Sequence, residues 1–541
     1  MNRGRIVLFV SVLLAAGVIA VSALLVTQES DDDDNNGPVV QPSATVAVIQ
    51  APPTPVPVTV QPVFAPGANL NDGLPTYVCA ADAFGSYFTL QQMVMAGLDV
   101  QNGFHLGLVP FALDEMSEYD IPEEGRVAAL SSGQWDCLLT TADSIALSSA
   151  GMITAIVDES AGADQLWVRD VPTINDLTGK RIAYSRGSVG EYFVLFTLNV
   201  ARLNPRFDVT LLPVDSVAEA VETFNRGQAD VVSGWEPDIF DAEQSGGTEL
   251  LSSSELRIII DVIATSNQAV EQKPTLVQAF HNAWFQTLKL QTEDFAAAAQ
   301  QIAEWGHNDW SFVYPESAEA DLQLWLASIA QADLGDNVSV MRSPDPLIQR
   351  LQIARRVWAA SGVTVPEDDV NLLVDPRFVL EAGARAELQT TTTPVNDTFS
   401  LGARPDLTQI DPEAGATLGV LPCRRFTFLP ESAELTLESR RILDDCVIPI
   451  MSSSVGIFLR VQGSSAWPGP PGTYTEQEIY DFALARGQAV VDYLTAPEQG
   501  LDPARFVVEA TLPPDERRET DDPDLQAQDR FVEMSLIRTG R

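Results

Sequence analysis

Short apolar runs alternate with amphipathic stretches from about residue 74 to residue 370. "TYVCAA" (76–81), "FHLGLVPF" (104–111) and "WDCLLTT" (135–141) have the length and apolar content of buried strands. "QLWVR" (165–169), "RIAYS" (181–185), "VTLLPV" (209–214), "ADVVSGW" (229–235) and "RIIIDVIATS" (257–266) predict five more. Helical spacing fills the intervals in "YFTLQQMVMAGL" (87–98), "GRVAALSSGQ" (125–134) and "VAEAVETFNRGQ" (217–228), the last ended by Gly227. Beyond residue 273 the chain turns helical, with Pro274 at a first-turn position of "KPTLVQAFHNAWFQTLKLQ". This alternation predicts an α/β domain. Periodicity is lost over 376–418, which reads as a linker. A second unit, 419–541, reads as strand, helix, strand, helix, strand, strand, a βαβαββ order long enough to fold alone.

The ends and the charge narrow the class. Arg3 and Arg5 precede an apolar run from Ile6 to Thr27, long enough to span a bilayer and longer than the apolar core of a usual signal peptide. Residues 1–28 are therefore expected to be an uncleaved signal-anchor helix, with the remaining chain outside the cytoplasm. The Asp- and Pro-rich stretch 29–73 reads as an extended, disordered tether. Formal net charge is −43, from 75 acidic and 32 basic residues, only three of them lysines. That excludes a nucleic-acid binder and favours a monomer that repels its own copies. Four cysteines in an exported chain invite disulfides. Cys423 and Cys446 are expected to pair, whereas Cys79 and Cys137 fit a bridge and two buried thiols equally well. His105, His281 and His307 are scattered and no CxxC pair exists, so neither a metal site nor a cofactor is expected.

One turn carries candidate chemistry by itself. In "IAYSRGSVGEYFVL" (182–195) a strand breaks into Ser185-Arg186-Gly187-Ser188-Val189-Gly190 and a helix follows. The glycines permit close backbone approach, and the amides at the helix start form an anion cradle. A capped turn without a ligand fits the same residues. The run lacks the GK[ST] of a phosphate-binding loop and the G-x-G-x-x-G of a dinucleotide fold. No Ser, His and Asp constellation indicates catalysis, and acid pairs such as Asp82 with Glu236 are unavoidable in so acidic a chain, so no enzyme is expected.

Longer stretches carry a resemblance. "DLTGKRIAYSRGSVGEYFVLFTL" (176–198), "VTLLPVDSVAEAVETFNRGQADVVSGWEPD" (209–238), "LLSSSELRIIIDVIATSN" (250–267) and the helix "AFHNAWFQTL" resemble the periplasmic solute-binding proteins of nitrate/sulfonate/taurine ABC importers. The resemblance implies a two-lobed Venus-flytrap fold over 74–375, with lobe one at about 74–165 and 266–370 and lobe two at about 166–265. It implies a ligand at the carboxyl ends of strands, contacted by Asp82, Phe84, Thr140, Thr141, Ser185, Gly187, Ser188, Val189, Trp235, Glu236 and Asp261. Ser86 and Ser144 lie in the same loops. The implied function is capture of a small anionic or zwitterionic molecule for an ABC permease. Thiamine-precursor enzymes share the fold, but the His-rich or Cys-based active site they need is not found here. An envelope sensor or adaptor with no transporter is the alternative.

The C-terminal unit resembles the OmpA-like peptidoglycan-binding domain in "FTFLPESAELTLESRRIL", "LRVQGSSAWPG", "FALARGQAVVDYL" and "QDRFVEMSLI". The resemblance implies peptidoglycan contacts by Arg486 and Arg530. Ala466 stands where the family has its Asp, and Ser464-Ser465 replace the usual His-Thr.

Overall fold

The computed structural model describes residues 60–111, 121–305, 313–389, 399, 417–421, 423, 426–453 and 456–537. All of them belong to one compact unit, Pro55–Arg541. The expected membrane helix and most of the tether lie outside the described residues. Among the described residues no helix is long and apolar enough to cross a membrane.

The chain builds most of one sheet, leaves to build a second, and returns to finish the first. Strands β1 (Thr76–Ala81), β2 (His105–Pro110), β3 (Cys137–Thr141) and β4 (Met152–Ser160) begin the first sheet. The second contains β5 (Asp164–Val168), β6 (Arg181–Ser185), β7 (Thr210–Val214), β8 (Val231–Trp235) and β9 (Thr248–Ser252). Strands β10 (Ile260–Thr265) and β11 (Ile329–Gln331) then rejoin the first. The orders are β11-β4-β10-β3-β1-β2 and β7-β6-β8-β5-β9. Strands β2 and β10 are buried at every residue, which accounts for their nearly continuous apolar runs. Because β10 belongs to the first sheet, lobe one resumes at residue 260 and not at 266.

Three other expectations are corrected. Strand β4 was not among the predicted elements, since Thr154, Asp158 and Glu159 break its apolar run, yet it lies inside the sheet. Residues 60–73 are not free tether: Val63 bridges to Leu108 of β2, and His105 bonds Asp72 at 3.0 Å. Pro62 and Phe64 cover Gly107, where any side chain would collide with them. Nor is the start of 376–418 a linker. The helix Arg377–Gly383 buries Phe378, Val379 and Ala382, and the Phe378 ring stacks on His281 at 5.4 Å. His281 is itself a core residue, bonded to the Val277 carbonyl and to Thr154 Oγ1, and burial lowers its pKa to about 4.

A third sheet orders β12 (Thr417–Val420), β16 (Phe531–Ile537), β14 (Phe458–Ser464) and β15 (Phe506–Thr511), with β13 (Phe426–Thr427) also pairing β16. The helix Glu476–Leu494 lies on it, and Gly463 makes this possible, since a Cβ there would meet the Ala483 carbonyl. Strand β12 starts at Thr417, so the unit begins before the expected residue 419. It is also docked against the rest of the protein. Asn175 exchanges two hydrogen bonds with Val420, at 3.0 and 2.8 Å, and Gly456 fits under the Ser254 and Glu255 carbonyls. Disulfides join Cys79 to Cys137 across β1 and β3, and Cys423 to Cys446.

Asn337 is the polar keystone of the first sheet. It is fully buried, accepts from the Ile156 amide at 2.8 Å, and donates to the Ile156 and Asp333 carbonyls at 2.9 and 3.0 Å. Asn337→Ala strands these groups on β4 and should cost about 3 kcal/mol. Urea unfolding followed by tryptophan fluorescence would show an earlier midpoint; an unchanged midpoint would refute the role.

Candidate functional site

The carboxyl ends of β3, β4, β6 and β8 and the starts of β5 and β10 hold the polar residues that the apolar cores exclude. Asp261, second residue of β10, stands between Thr141 of β3 and Asp158 of β4 as cross-strand partner of both. The Tyr87 hydroxyl donates to Asp261. Thr141 Oγ1 donates to Ser144 Oγ at 3.3 Å at the start of the helix Ala142–Ser148. The Asp82 carboxylate accepts the Phe84 amide at 3.2 Å, and the Phe84 ring meets Tyr87 edge-on at 5.5 Å. Thr140 is half-buried beside Thr141.

From the second sheet comes the turn after β6. Ser188 caps the helix Val189–Val200 by accepting the Gly190 amide at 3.1 Å, and its hydroxyl donates to the Ser185 carbonyl at 2.7 Å. The Ser185 hydroxyl reaches the Asp215 carbonyl at 3.5 Å. The Gly187 amide, offered by the sequence to an anion, donates to Glu191 Oε2 at 2.7 Å. Gly187 has φ +69°, and a Cβ on it would point at Glu123 of the first lobe, 3.6 Å away. The Gly187 amide is therefore satisfied by a carboxylate of the following helix, and the turn faces the other lobe. At the end of β8, Trp235 is half-buried and pairs Asp164 across the strands. Glu236 accepts Gln165 Nε2 at 3.3 Å and Ser328 Oγ at 2.9 Å, bridging the second sheet to the first lobe.

Several residues that matter here were not singled out from the sequence. Asp143, Asp158 and Asp164 are buried, and no well-formed hydrogen bond reaches either carboxylate oxygen of Asp143 or Asp158. Burial pushes Asp143, Asp164 and Glu236 up to about 7 and Asp82 to about 6, the latter against the pull of Arg126. Burial, and then the charge of Glu159, raises Asp158 to about 7, while Ser86 and Asp261 lower it; burial, and then the charge of Asp158, raises Asp261. The cations nearby are engaged: Arg126 pairs Glu123 at 3.2 Å and covers the Phe111 ring, and Arg257 pairs Glu159 at 3.0 Å. Among the described residues no group of acids, histidines or cysteines is arranged to hold a metal ion.

Arg486 and Arg530 lie in the C-terminal sheet unit, away from this constellation in the fold, and near enough to repel each other. Arg486 is buried. It donates to the Ser464, Ser432 and Leu429 carbonyls at 2.9, 3.1 and 3.3 Å and lies over Phe428 and Phe482. Its guanidinium thus ties β14 to the loop after β13. Arg530 donates to the Pro523 carbonyl at 3.5 Å, and Ala466 is buried.

Residues 153–294, from β4 through the second sheet and β10 into the helix Pro274–Glu293, match the family described as NMT1/THI5 like. No curated protein matches the chain. Among solved structures, the alkanesulfonate-binding protein SsuA from Xanthomonas axonopodis pv. citri bound to MOPS is 18% identical with a TM-score of 0.42, over 56% of this chain and 98% of that one. The periplasmic nitrate-binding protein NrtA from Synechocystis PCC 6803 is 12% identical with a TM-score of 0.44, over 60% and 92%. The desulfurization enzyme DSZB is 16% identical with a TM-score of 0.37, over 57% and 98%.

The raised carboxylates give the protein an unusual pH dependence. An aspartate at its ordinary value of 3.8 in the unfolded chain and about 7 in the fold binds more protons when folded. Stability contributed by Asp143 and Asp164 is therefore intact below pH 4 and lost as pH rises from about 4 to about 7. The ligand-free protein should melt at a lower temperature at pH 7.5 than at pH 5.5. Asp143→Asn should flatten the slope in a thermal melt series; an unchanged slope would show that Asp143 ionises freely.

Proposed function

We propose that this chain is an extracytoplasmic solute-binding protein that captures a small polar molecule between its two lobes and delivers it to an ABC permease. The observation that carries the reading is the opposition of strand ends: Thr141, Asp158 and Asp261 on one sheet and Asp164, Ser185 and Trp235 on the other, with Gly187 facing Glu123 across the gap. Polar groups at the carboxyl ends of strands are where α/β sheets bind ligands. A molecule touching both lobes stabilises their approach. The NMT1/THI5-like match over 153–294 supports the same reading, because it spans both crossings between lobes. Two disulfides favour an oxidising compartment. Ligand contact by Asp82, Phe84, Thr140 and Ser188, a membrane anchor at the N-terminus, attachment of the C-terminal unit to peptidoglycan through Arg486 and Arg530, and a monomeric state belong to this proposal.

A second reading, an envelope sensor without a transporter, draws on the docked C-terminal unit. That unit touches the second lobe at Asn175 and the crossing at Ser254–Glu255, so lobe movement reaches it directly. Differential scanning fluorimetry of the full chain tests both against no ligand at all. Saturation with a solute at 100 times its Kd stabilises by about 2.7 kcal/mol and raises the melting temperature by several degrees. A panel of sulfonates, nitrate, amino acids, polyamines and pyrimidines that produces no shift would overturn solute binding.

A further inference from the structure

The charge in the cleft decides what kind of solute fits, provided that the cleft is a ligand site as proposed above. Asp158 and Asp261 share one face of adjacent strands, Thr141 continues their row, and Asp82 and Asp164 are close enough to add to the repulsion at Asp261. Ser86 offers a further sign of an absent partner. The residue is 1% exposed and lies against Asp158, whose pKa it lowers, yet its hydroxyl makes no well-formed hydrogen bond. The cations facing the row offset it only in part: Arg126 lowers Asp82 and Arg257 lowers Asp158, yet burial keeps both acids raised. Arg126 is held by Glu123, Arg257 by Glu159, and Arg186 lies beside Glu191, whose carboxylate already takes the Gly187 amide. Arg350 is buried and interacts with Glu159, Tyr192 and Arg257. Tyr87 supplies a hydroxyl and Glu236 another acid.

We propose that the cleft takes an organic cation, a molecule bearing at least one protonated amine, whose ammonium group sits against Asp158 and Asp261 and supplies the hydrogen bonds that Asp158 lacks. A bare oxyanion finds the wrong sign here: Glu191 already takes the Gly187 amide, and the cleft acids repel it. An ammonium has three donors and no acceptor, which matches a set of acceptor-only carboxylates and the Ser86 oxygen. Half-buried Phe84 and Trp235 provide aromatic faces, to which cations are attracted. In the empty cleft the carboxyl groups hold protons near neutrality. Entry of the ammonium ionises them, and each displaced proton passes to the buffer.

Isothermal titration calorimetry of the full chain at pH 6, 7 and 8, in two buffers of different ionisation enthalpy, tests this with butane-1,4-diamine, taurine, ethanesulfonate, nitrate and calcium chloride. Taurine and ethanesulfonate differ only by the amine. The expected result is binding of the diamine or taurine, up to tenfold tighter per pH unit for each proton released, with no binding of ethanesulfonate or nitrate. Asp158→Asn with Asp261→Asn should weaken amine binding at least tenfold. The amides mimic the protonated acids, so the pH 6 melting temperature should be retained. Binding of ethanesulfonate, nitrate or calcium without the amines overturns the cation and leaves solute binding standing. Amine binding unaffected by the double variant, or without proton release, also overturns it. Silence across all five probes overturns the cation and counts against solute binding as well.

Discussion

Strand β10 carries the architecture. It enters the first sheet antiparallel between β3 and β4 and bonds to both along its length. Without it the sheet would part into β1-β2-β3 on one side and β4-β11 on the other. The chain reaches β10 only after passing through all the strands of the second sheet, so the first sheet is closed by a long-range pairing. That order also fixes where polarity is admitted. The strand is buried throughout, and its one acid, Asp261, lies near the end where the chain arrives from the other lobe.

Acids concentrated at that end are costly in the empty protein. Burying an unpaired carboxylate is unfavourable enough that the group holds its proton instead. The fold tolerates this because Tyr87 donates to Asp261, Ser160 donates to Asp164, and two arginines are spent on Glu123 and Glu159. Elsewhere the arginines serve as internal braces. Arg486 fastens three carbonyls in the C-terminal sheet unit, and Arg505 fastens the Ile457 and Met451 carbonyls. With so few basic residues in the chain, braces and ion pairs leave little positive charge for the cleft.

Much of the frame was legible from hydrophobic spacing. The strands around 76–81, 104–111 and 135–141, the second-lobe strands other than β9, and the helix after Ser188 stand where the apolar runs put them. What escaped has physical causes. Strand β4 carries three polar residues in its last stretch, so its period is masked, although an apolar run ending in Asp158-Glu159 just before Gly162 was a usable signal. The helix Arg377–Gly383 follows a proline and is too short to declare a face. Asp143 and Asp158 carry no local sign distinguishing them from the chain's many other acids. Only the pairing of Asp158 with Asp261, a hundred residues apart, brings them to one place. Gly187 faces Glu123 of the other lobe, but a Glu four residues on had already claimed its amide.

The two crossings between the lobes are sewn together by one hydroxyl. Ser253 lies on the return path, yet its Oγ meets Ser160 Oγ at 2.7 Å and accepts the Gly162 and Asp164 amides at 2.8 and 3.2 Å on the outward path. Two strands laced in this way behave as a single ply. They resist twisting and sliding past one another and leave a fold line across the lacing as the easy movement. A jaw hung on such a strap opens and shuts in one plane, so the residues that meet when it shuts are the same ones every time.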